Sequence, residues 1–265
     1  IRFEKATSLK AKPDIDKVTF GSVYSDYMFA MNYNVDKGWY DPRIVPFQNI
    51  SLSPASIVLN YALEIFEGLK AYRTADGTIQ LFRPLDNIAR MNKSAERLCL
   101  PQIPEELALA GITELVKLER DWVPHEEGTS LYIRPFMIGT DPALGVHSSH
   151  HVQYIVIVCP VGAYYPEGLA PVKIYVESED VRAVKGGTGY TKCGGNYAAS
   201  IRAGERAEQN GYAQVLWLDG VHRKYIEEVG SMNMMFVIDG KFVCPELDGT
   251  ILPGRLFSSF DGGDT

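Results

Sequence analysis

The sequence predicts an α+β protein of two units joined near residues 162–170. Segments with the apolar pattern of strands are mixed with amphipathic helical segments, and no repeat or low-complexity tract interrupts them. The stretch Gly162-Ala-Tyr-Tyr-Pro-Glu-Gly168 is rich in turn residues and separates the two parts. We therefore expect an N-terminal α/β domain over residues 1–161, an interdomain loop over 162–170 and a second domain over 171–265.

Turn residues and apolar spacing predict the elements of the N-terminal domain. Asp76-Gly77 is a dipeptide that favours a tight hairpin turn, and proline at position 84 favours the start of a helix. In chain order the predicted elements are a helix over 54–61 capped by Ser53, hairpin strands 68–73 and 78–82, helices from Pro84 and over 105–122, and strands 130–138 and 152–159.

The C-terminal domain is predicted in the same way. Small apolar residues recur along residues 196–209 at helical spacing, and Asp239-Gly240 again predicts a turn. The predicted elements are a strand over 172–176, a helix over 196–209, a strand over 213–218, and further β structure from Tyr225 onward that includes residues 234–238.

Composition limits the classes of function. The chain of 265 residues is 46% hydrophobic and 22% charged, which is typical of a globular enzyme. Its net charge of -7, without basic clusters, argues against nucleic acid or an anionic membrane as partner, and no apolar run approaches the ~18 residues that span a bilayer. The four cysteines are scattered without a C-x-x-C pair, so we expect no metal site and a reducing, cytoplasmic setting.

The segment Lys185-Gly-Gly-Thr-Gly-Tyr-Thr-Lys192-Cys-Gly-Gly-Asn-Tyr197 carries five glycines and two lysines. Glycine allows close backbone approach, so the segment could present one amine to a flat, phosphorylated cofactor. A flexible surface loop with two solvated lysines fits the same spacing. A P-loop does not, because Thr191 precedes Lys192 and Cys193 follows it.

A pyridoxal cofactor bound to Lys192 would require three further groups. A carboxylate must hold the pyridine nitrogen protonated, a cation or backbone N–H groups must bind the phosphate, and a phenol or similar donor should contact the ring oxygen. The candidates are Glu227 or Glu228 for the carboxylate, Arg90, Arg83 or Arg97 for the phosphate, and Tyr197 for the phenol. Each of these residues could equally be an ordinary packed or solvated side chain.

Long motifs follow one another from about Phe20 to Gly254. They are Tyr61-Ala-Leu-Glu-Ile-Phe-Glu-Gly-Leu-Lys-Ala-Tyr-Arg73, Leu81-Phe-Arg-Pro84 with Asn87-Ile-Ala-Arg-Met91, Ser130-Leu-Tyr-Ile-Arg-Pro135, Thr188-Gly-Tyr-Thr-Lys-Cys-Gly-Gly-Asn-Tyr197, Glu227-Glu-Val-Gly-Ser-Met-Asn233 and Leu247-Asp-Gly-Thr-Ile-Leu-Pro-Gly254. In this order they resemble the branched-chain amino-acid aminotransferases, which are pyridoxal-phosphate enzymes of fold type IV. The resemblance implies the two-domain α+β fold of that class, with a small N-terminal domain and a large cofactor-binding domain.

The resemblance also implies roles for individual residues. Lys192, rather than Lys185, matches the catalytic lysine that binds pyridoxal 5'-phosphate. The other cofactor-binding matches are Arg90 at the phosphate, Tyr197 beside the ring, Glu228 at the pyridine nitrogen and Leu252 near the phosphate. The substrate-pocket matches are Tyr61, Phe66, Tyr132, Val146 and Tyr164, with Arg134 for the distal carboxylate of glutamate.

The implied reaction is transamination of branched-chain L-amino acids with 2-oxoglutarate, with Lys192 as general base and acid. The implied assembly is a homodimer, whose sites use a loop from the second subunit. Two enzymes of the same fold are alternatives, a D-amino-acid aminotransferase and an aminodeoxychorismate lyase. A third alternative is an inactive remnant that acts only as a partner subunit.

The resemblance stops after Gly254. Residues 255–265 contain neither the helix pattern nor the phosphate-binding turn of the family. We therefore expect that the C-terminal part of the large domain is missing from this chain, and that the chain alone binds pyridoxal phosphate weakly and is poorly active.

Overall fold

The structure is a computed structural model that describes residues 1–162 and 170–254. The chain divides into two compact units, Ile1–Leu169 and Ala170–Thr265. Two parts of the predictions lie outside the described residues. These are Tyr164, together with most of the predicted interdomain loop, and the segment after Gly254.

Within the described residues, the first unit contains an eight-stranded sheet and three α-helices. The strands are β1 Arg2–Phe3, β2 Tyr27–Asn34, β3 Gly38–Pro46, β4 Glu64–Phe66, β5 Leu69–Arg73, β6 Ile79–Leu81, β7 Ser130–Gly139 and β8 His151–Val161. The helices are α1 Ile57–Tyr61, α2 Pro84–Arg97 and α3 Glu105–Leu118, with 3₁₀ turns at Ile15–Lys17 and Arg120–Trp122. The strand order is β1-β3-β2-β8-β7-β5-β6, and β4 also pairs with β7.

Local sequence explains several of these elements. Gly77 has a φ of 82° at the turn between β5 and β6, which pair antiparallel, so the predicted hairpin is confirmed. Helix α2 begins at Pro84 as predicted, since proline has the φ of a first helical turn. Helix α1 begins at Ile57 and not at Pro54, because Ser53 accepts the backbone N–H of Ala55 in a preceding turn.

The long antiparallel pair β7–β8 forms the centre of the first unit. One face of β7 buries Leu131, Ile133 and Met137 completely. Helix α3 approaches the sheet at Gly111, where an added Cβ would lie 2.8 Å from the ring of Phe29. Phe29 is fully buried on β2, and burial of such a side chain contributes about 2 kcal/mol. Strands β2 and β3 were not among the predicted elements, because β2 is buried on both faces over most of its length and shows no alternation.

Within the described residues, the second unit has a four-stranded sheet, a separate hairpin and two helices. The sheet strands are β9 Ile174–Val176, β10 Gln214–Leu218, β11 Ile226–Val229 and β12 Met232–Asn233, in the order β12-β11-β10-β9. The hairpin is β13 Phe236–Ile238 with β14 Lys241–Val243, and the helices are α4 Gly194–Ala198 and α5 Ile201–Gln209. Ala203 and Ala207 of α5 pack on Val215 and Trp217 of β10.

The helix predicted over residues 196–209 is divided into α4 and α5. The backbone N–H of Ser200 donates to the carbonyl of Tyr197 at 3.1 Å, and the Ser200 hydroxyl donates to the same carbonyl at 2.7 Å. Serine competes in this way for helical carbonyls, which explains the break. The turn predicted at Asp239-Gly240 is confirmed between β13 and β14, where both residues have positive φ. Every described helix is too short or too polar to cross a membrane.

Candidate active site

The amine of Lys192 lies beside a phenol in the second unit. Lys192 lies two residues before the first residue of α4, and its Nζ is 3.0 Å from the hydroxyl of Tyr197 on that helix. The side chain of Lys192 is half-buried. The two side chains therefore form one polar pair in which the position of the amine is defined.

Hydrogen bonds from the side chain of Asn196 hold the loop that carries Lys192. The Nδ2 of Asn196 donates to the carbonyls of Thr188 and Thr191 at 2.8 and 3.0 Å, and its Oδ1 accepts the Thr188 hydroxyl at 2.7 Å. Gly189 packs so closely on Thr250 that an added Cβ would lie 2.4 Å from the Thr250 carbonyl oxygen. The glycines of the motif thus permit close packing of the loop.

Lys185, the other lysine of the motif, has a different environment. Its side chain is 72% exposed and its Nζ lies 3.6 Å from the carboxylate of Asp248. An exposed pair of this kind contributes little. The fold therefore distinguishes the two lysines that spacing alone left equivalent.

Glu228 is a buried carboxylate on β11, 3% exposed. Its Oε2 lies 3.0 Å from Nη2 of Arg182, and its Oε1 accepts a hydrogen bond from Asn233 at 3.0 Å. Asn233 also donates to the carbonyl of Leu252 at 3.0 Å. Burial raises the pKa of Glu228 to about 7, while the positive charge of Arg182 and a hydrogen bond from the Leu252 backbone oppose that rise.

Glu227 is also buried, although the alternation of a strand directs neighbouring side chains to opposite faces. Burial raises the pKa of Glu227, and its Oε2 has no hydrogen-bond partner within the described part of the chain. The alternative in which both carboxylates are solvated is therefore wrong. The positive charge of Lys192 also lowers the pKa of Glu228.

Arg90 lies on α2 in the first unit and is buried against Glu67. Its Nε and Nη2 donate to the two Glu67 oxygens at 2.6 and 2.9 Å. Glu67 is 1% exposed and also accepts hydrogen bonds from Asn87 and from the backbone of Gly68, both at 3.0 Å. This bidentate pair fixes the plane of the Arg90 guanidinium.

The other two arginines named as candidates for the phosphate are more exposed than Arg90. Arg83 pairs with Asp86 at the start of α2, and Arg97 is exposed near its end. Spacing alone left the three arginines equivalent as candidates, but burial distinguishes Arg90 from the other two. The sequence analysis assigned no role to Glu67. Its position between Phe66 and Gly68, inside one of the long motifs, was the feature that could have indicated one.

Three of the predicted pocket residues form a cluster in the first unit. Tyr132 and Arg134 are alternate residues of β7 and therefore share one face, on which Nη2 of Arg134 donates to the Tyr132 hydroxyl at 2.9 Å. The Arg134 guanidinium lies 4.6 Å from the centre of the Phe66 ring on β4. Gly68 leaves room for the Tyr132 hydroxyl, since an added Cβ would lie 2.3 Å from it.

The remaining pocket residues lie at the surface of the first unit. Tyr61, at the end of α1, is 45% exposed, and Val146 is 86% exposed. The predicted site residues are thus distributed over both units. Lys192, Tyr197, Glu228 and Leu252 belong to the second unit, and the other described ones belong to the first.

Comparisons with known proteins identify the class of protein. Residues 64–256 match the family described as "Amino-transferase class IV", which covers most of the chain. The chain therefore belongs to the class IV aminotransferase family. Its fold is that of the fold-type IV aminotransferases, as the resemblance implied.

Proteins similar to this chain include branched-chain aminotransferases. The chain is 56% identical over 254 residues to "Branched-chain-amino-acid aminotransferase 2" of Bacillus subtilis (strain 168), which covers 96% of this chain and 70% of that protein. It is 52% identical over 255 residues to a "Probable branched-chain-amino-acid aminotransferase" of Staphylococcus aureus (strain N315), covering 96% and 71%.

Solved structures of branched-chain aminotransferases are also similar to this chain. A crystal structure of the T.th. branched-chain amino acid aminotransferase with pyridoxamine 5'-phosphate has a TM-score of 0.71 and 27% identity, and the match covers 87% of this chain and 71% of that one. The Escherichia coli branched-chain enzyme has a TM-score of 0.73 at 24% identity, covering 89% and 73%, and supports the fold alone. The predicted resemblance to the branched-chain aminotransferases is confirmed.

Proposed function

We propose that the chain catalyses pyridoxal-phosphate-dependent transamination of leucine, isoleucine and valine with 2-oxoglutarate, giving branched 2-oxo acids and L-glutamate. The observation that carries the proposal is the pair of Lys192 and Tyr197, 3.0 Å apart, in the same unit as the buried carboxylate of Glu228. The 56% identity to a branched-chain aminotransferase supports the choice of substrate class. The alternative enzymes of this fold and the inactive remnant are not favoured by these relatives.

The second unit has groups suited to three of the contacts that pyridoxal 5'-phosphate requires. A half-buried amine, a phenol within hydrogen-bond distance of it and a buried carboxylate are present, and this combination fits the aldehyde, the ring oxygen and the pyridine nitrogen of that cofactor. When bound, the cofactor supplies an electron sink for the charge that develops at the α-carbon of the amino acid. A similar enzyme was crystallised with pyridoxamine 5'-phosphate, which supports the choice.

In the proposed reaction, Lys192 would remove the proton from the α-carbon of the amino acid as general base and, as general acid, would deliver it to the cofactor carbon that carries the amino group rather than back to the α-carbon. Tyr197 holds the amine in position through its hydroxyl. By the resemblance, the carboxylate of Glu228 would pair with the pyridine nitrogen, and Arg90 and the backbone near Leu252 would bind the phosphate. The bidentate contact with Glu67 orients Arg90 for this role.

The cluster in the first unit suits a site that accepts two kinds of side chain. The aromatic rings of Phe66 and Tyr132 offer an apolar wall for a branched aliphatic group. The Arg134 guanidinium between them can pair with the distal carboxylate of glutamate. Tyr61, Val146 and Tyr164 complete the proposed pocket by the resemblance alone.

We also propose a homodimer in a reducing, cytoplasmic setting. Val146 and Leu144 are 86% and 73% exposed, and two apolar side chains of one loop are suited to contact a second subunit. The four cysteines are all free, which is typical of a reducing compartment. Sedimentation at twice the mass of the chain would support the dimer, and sedimentation as a monomer would contradict it.

A single half-reaction tests the proposed function. The chain is saturated with pyridoxal phosphate, mixed with L-leucine or D-alanine, and followed by the visible absorption of the bound cofactor. We expect conversion with L-leucine and little with D-alanine, and Lys192→Ala should slow it by about 10²–10⁴-fold, as expected for loss of a general base. Lys185→Ala is the matched control and should react like the unaltered chain, because Lys185 is exposed. Faster conversion of D-alanine, or unimpaired conversion by Lys192→Ala, would refute the proposal.

A further inference from the structure

Arg182 is a buried arginine to which neither the sequence motifs nor the proposed reaction assigns a role. Its side chain is 9% exposed, and its Nη2 lies 3.0 Å from Oε2 of Glu228. The same nitrogen is 3.2 Å from the carbonyl oxygen of Gly189 and also contacts that of Thr250. One guanidinium thus contacts three separate segments of the second unit.

Each of these three segments carries a predicted cofactor-binding residue. Gly189 belongs to the loop that precedes Lys192 and forms hydrogen bonds with Asn196. Thr250 lies two residues before Leu252, whose backbone N–H forms a hydrogen bond with Glu228. Asn233 also bridges the two residues, because its side chain donates both to Glu228 and to the Leu252 carbonyl. Arg182 therefore links Glu228 to the two backbone segments that lead to Lys192 and to Leu252.

The charge around Glu228 depends strongly on Arg182. Burial favours the neutral carboxyl and the neighbouring Glu227 adds to that effect, while Arg182 and Lys192 favour the carboxylate. Arg182 makes the only ion pair with Glu228 within the described residues. Because the pKa of Glu228 is about 7 with Arg182 in place, loss of this positive charge would raise that pKa further and leave the carboxyl neutral at neutral pH. A neutral carboxyl would no longer hold a proton on the pyridine nitrogen by charge.

The packing of Arg182 itself does not account for its position. Its Nε is buried and has no hydrogen-bond partner within the described part of the chain. A buried donor without a partner is unfavourable. The guanidinium is therefore oriented so that Nη2 contacts Glu228 and the two carbonyls, while Nε is left without a partner among the described residues.

We propose that Arg182 is a positioning residue that favours the ionised form of Glu228 and links Glu228 to the Lys192 loop through Gly189. The inference rests on the proposed function, because it takes Glu228 as the partner of the pyridine nitrogen. Arg182 itself touches neither substrate nor cofactor in this proposal and acts through Glu228. Its loss should change the protonation of Glu228 even when no cofactor is bound.

The first test measures the titration of Glu228 in the cofactor-free full chain. The carboxyl carbons of glutamate are ¹³C-labelled, and the Glu228 resonance is assigned with Glu228→Gln. In Arg182→Gln the titration midpoint of Glu228 should rise by about one to three pH units, the effect of a nearby opposite charge. Arg202→Gln is the matched control, since that arginine is 73% exposed and pairs with Asp180. An unchanged midpoint in Arg182→Gln overturns the inference.

The second test uses Arg182→Lys, which keeps the charge but cannot contact Glu228, Gly189 and Thr250 with one planar group. The rate of the L-leucine half-reaction should fall by about 10- to 100-fold, the usual effect of a supporting residue, with leucine affinity little changed. An unchanged rate overturns the positioning role. If Arg182→Gln does not fold, the result with Arg182→Lys decides whether the inference holds. If the unaltered chain does not react with L-leucine, the proposed function is wrong. If the unaltered chain reacts and Arg182→Lys reacts at the same rate, only the inference about Arg182 is wrong.

Discussion

The position of the Lys192 amine depends on two of its neighbours, Tyr197 and Asn196. The phenol is 3.0 Å from Nζ, and Asn196 holds the preceding loop through its three hydrogen bonds with Thr188 and Thr191. Because a lysine side chain has four rotatable bonds, such contacts reduce the entropy that must be lost on reaching one reactive geometry.

Replacing Tyr197 by phenylalanine tests this at the level of one hydroxyl. The ring and its packing remain, but the hydrogen bond to the amine is lost, so the L-leucine half-reaction should slow by about 10- to 100-fold. Tyr212→Phe is the control, since that ring packs on Tyr175 with centroids 5.5 Å apart, away from Lys192. Equal rates for Tyr197→Phe and the control would show that the phenol does not hold the amine.

Among the elements, β7 and the segment between β4 and β5 define the cluster around Arg134. Tyr132 and Arg134 share a face of β7, and Gly68 lies under the Tyr132 hydroxyl. The strand alternation that buries Leu131 and Ile133 also directs the polar pair to the opposite face. The polar face is therefore a consequence of the same pattern that makes the core.

The variant Gly68→Ala should disturb this face. The new Cβ would lie 2.3 Å from the Tyr132 hydroxyl, so the phenol must move from its 2.9 Å contact with Arg134. We expect KM for 2-oxoglutarate to rise several-fold more than KM for leucine, because only the first substrate requires the arginine. Gly204→Ala, on α5 with no atom within 4 Å of the new Cβ, should leave both constants unchanged. A parallel rise for both substrates would indicate general damage to the fold.

Elements with local signals could be predicted from the sequence, and those with distant causes could not. The hairpin at Gly77 and the start of α2 at Pro84 depend on neighbouring residues and are confirmed. Strand β2 has buried residues on both faces, which removes the alternation that identifies a strand. Arg182 contacts Thr250, 68 residues away along the chain, and no spacing rule relates such positions.

For the molecule as a whole, buried carboxylates make stability depend on pH. Glu119 is 2% exposed and accepts the backbone N–H of Tyr27, and burial raises its pKa to about 7. In the unfolded chain the group titrates near its ordinary value of 4.5. Between these two values the folded chain binds the proton more tightly, so stability is lost as pH rises from about 4.5 through about 7.

The variant Glu119→Gln should remove this part of the pH dependence. Glutamine keeps an acceptor for the Tyr27 N–H but does not ionise. Thermal unfolding at about pH 5 and about pH 8 should therefore show a smaller loss of stability for the variant than for the unaltered chain. The comparison cancels the contributions of the other titrating groups. An identical loss in both chains would mean that Glu119 ionises in the folded state as readily as in the unfolded one.

The identity of the reactive lysine is the claim on which the proposed function depends most. It is tested directly by loading the chain with pyridoxal phosphate, reducing with borohydride and mapping the modified peptide by mass spectrometry. We predict a pyridoxyl adduct confined to Lys192, whose amine is half-buried beside Tyr197. An adduct on the exposed Lys185, or no adduct on either lysine, would contradict the assignment of the site.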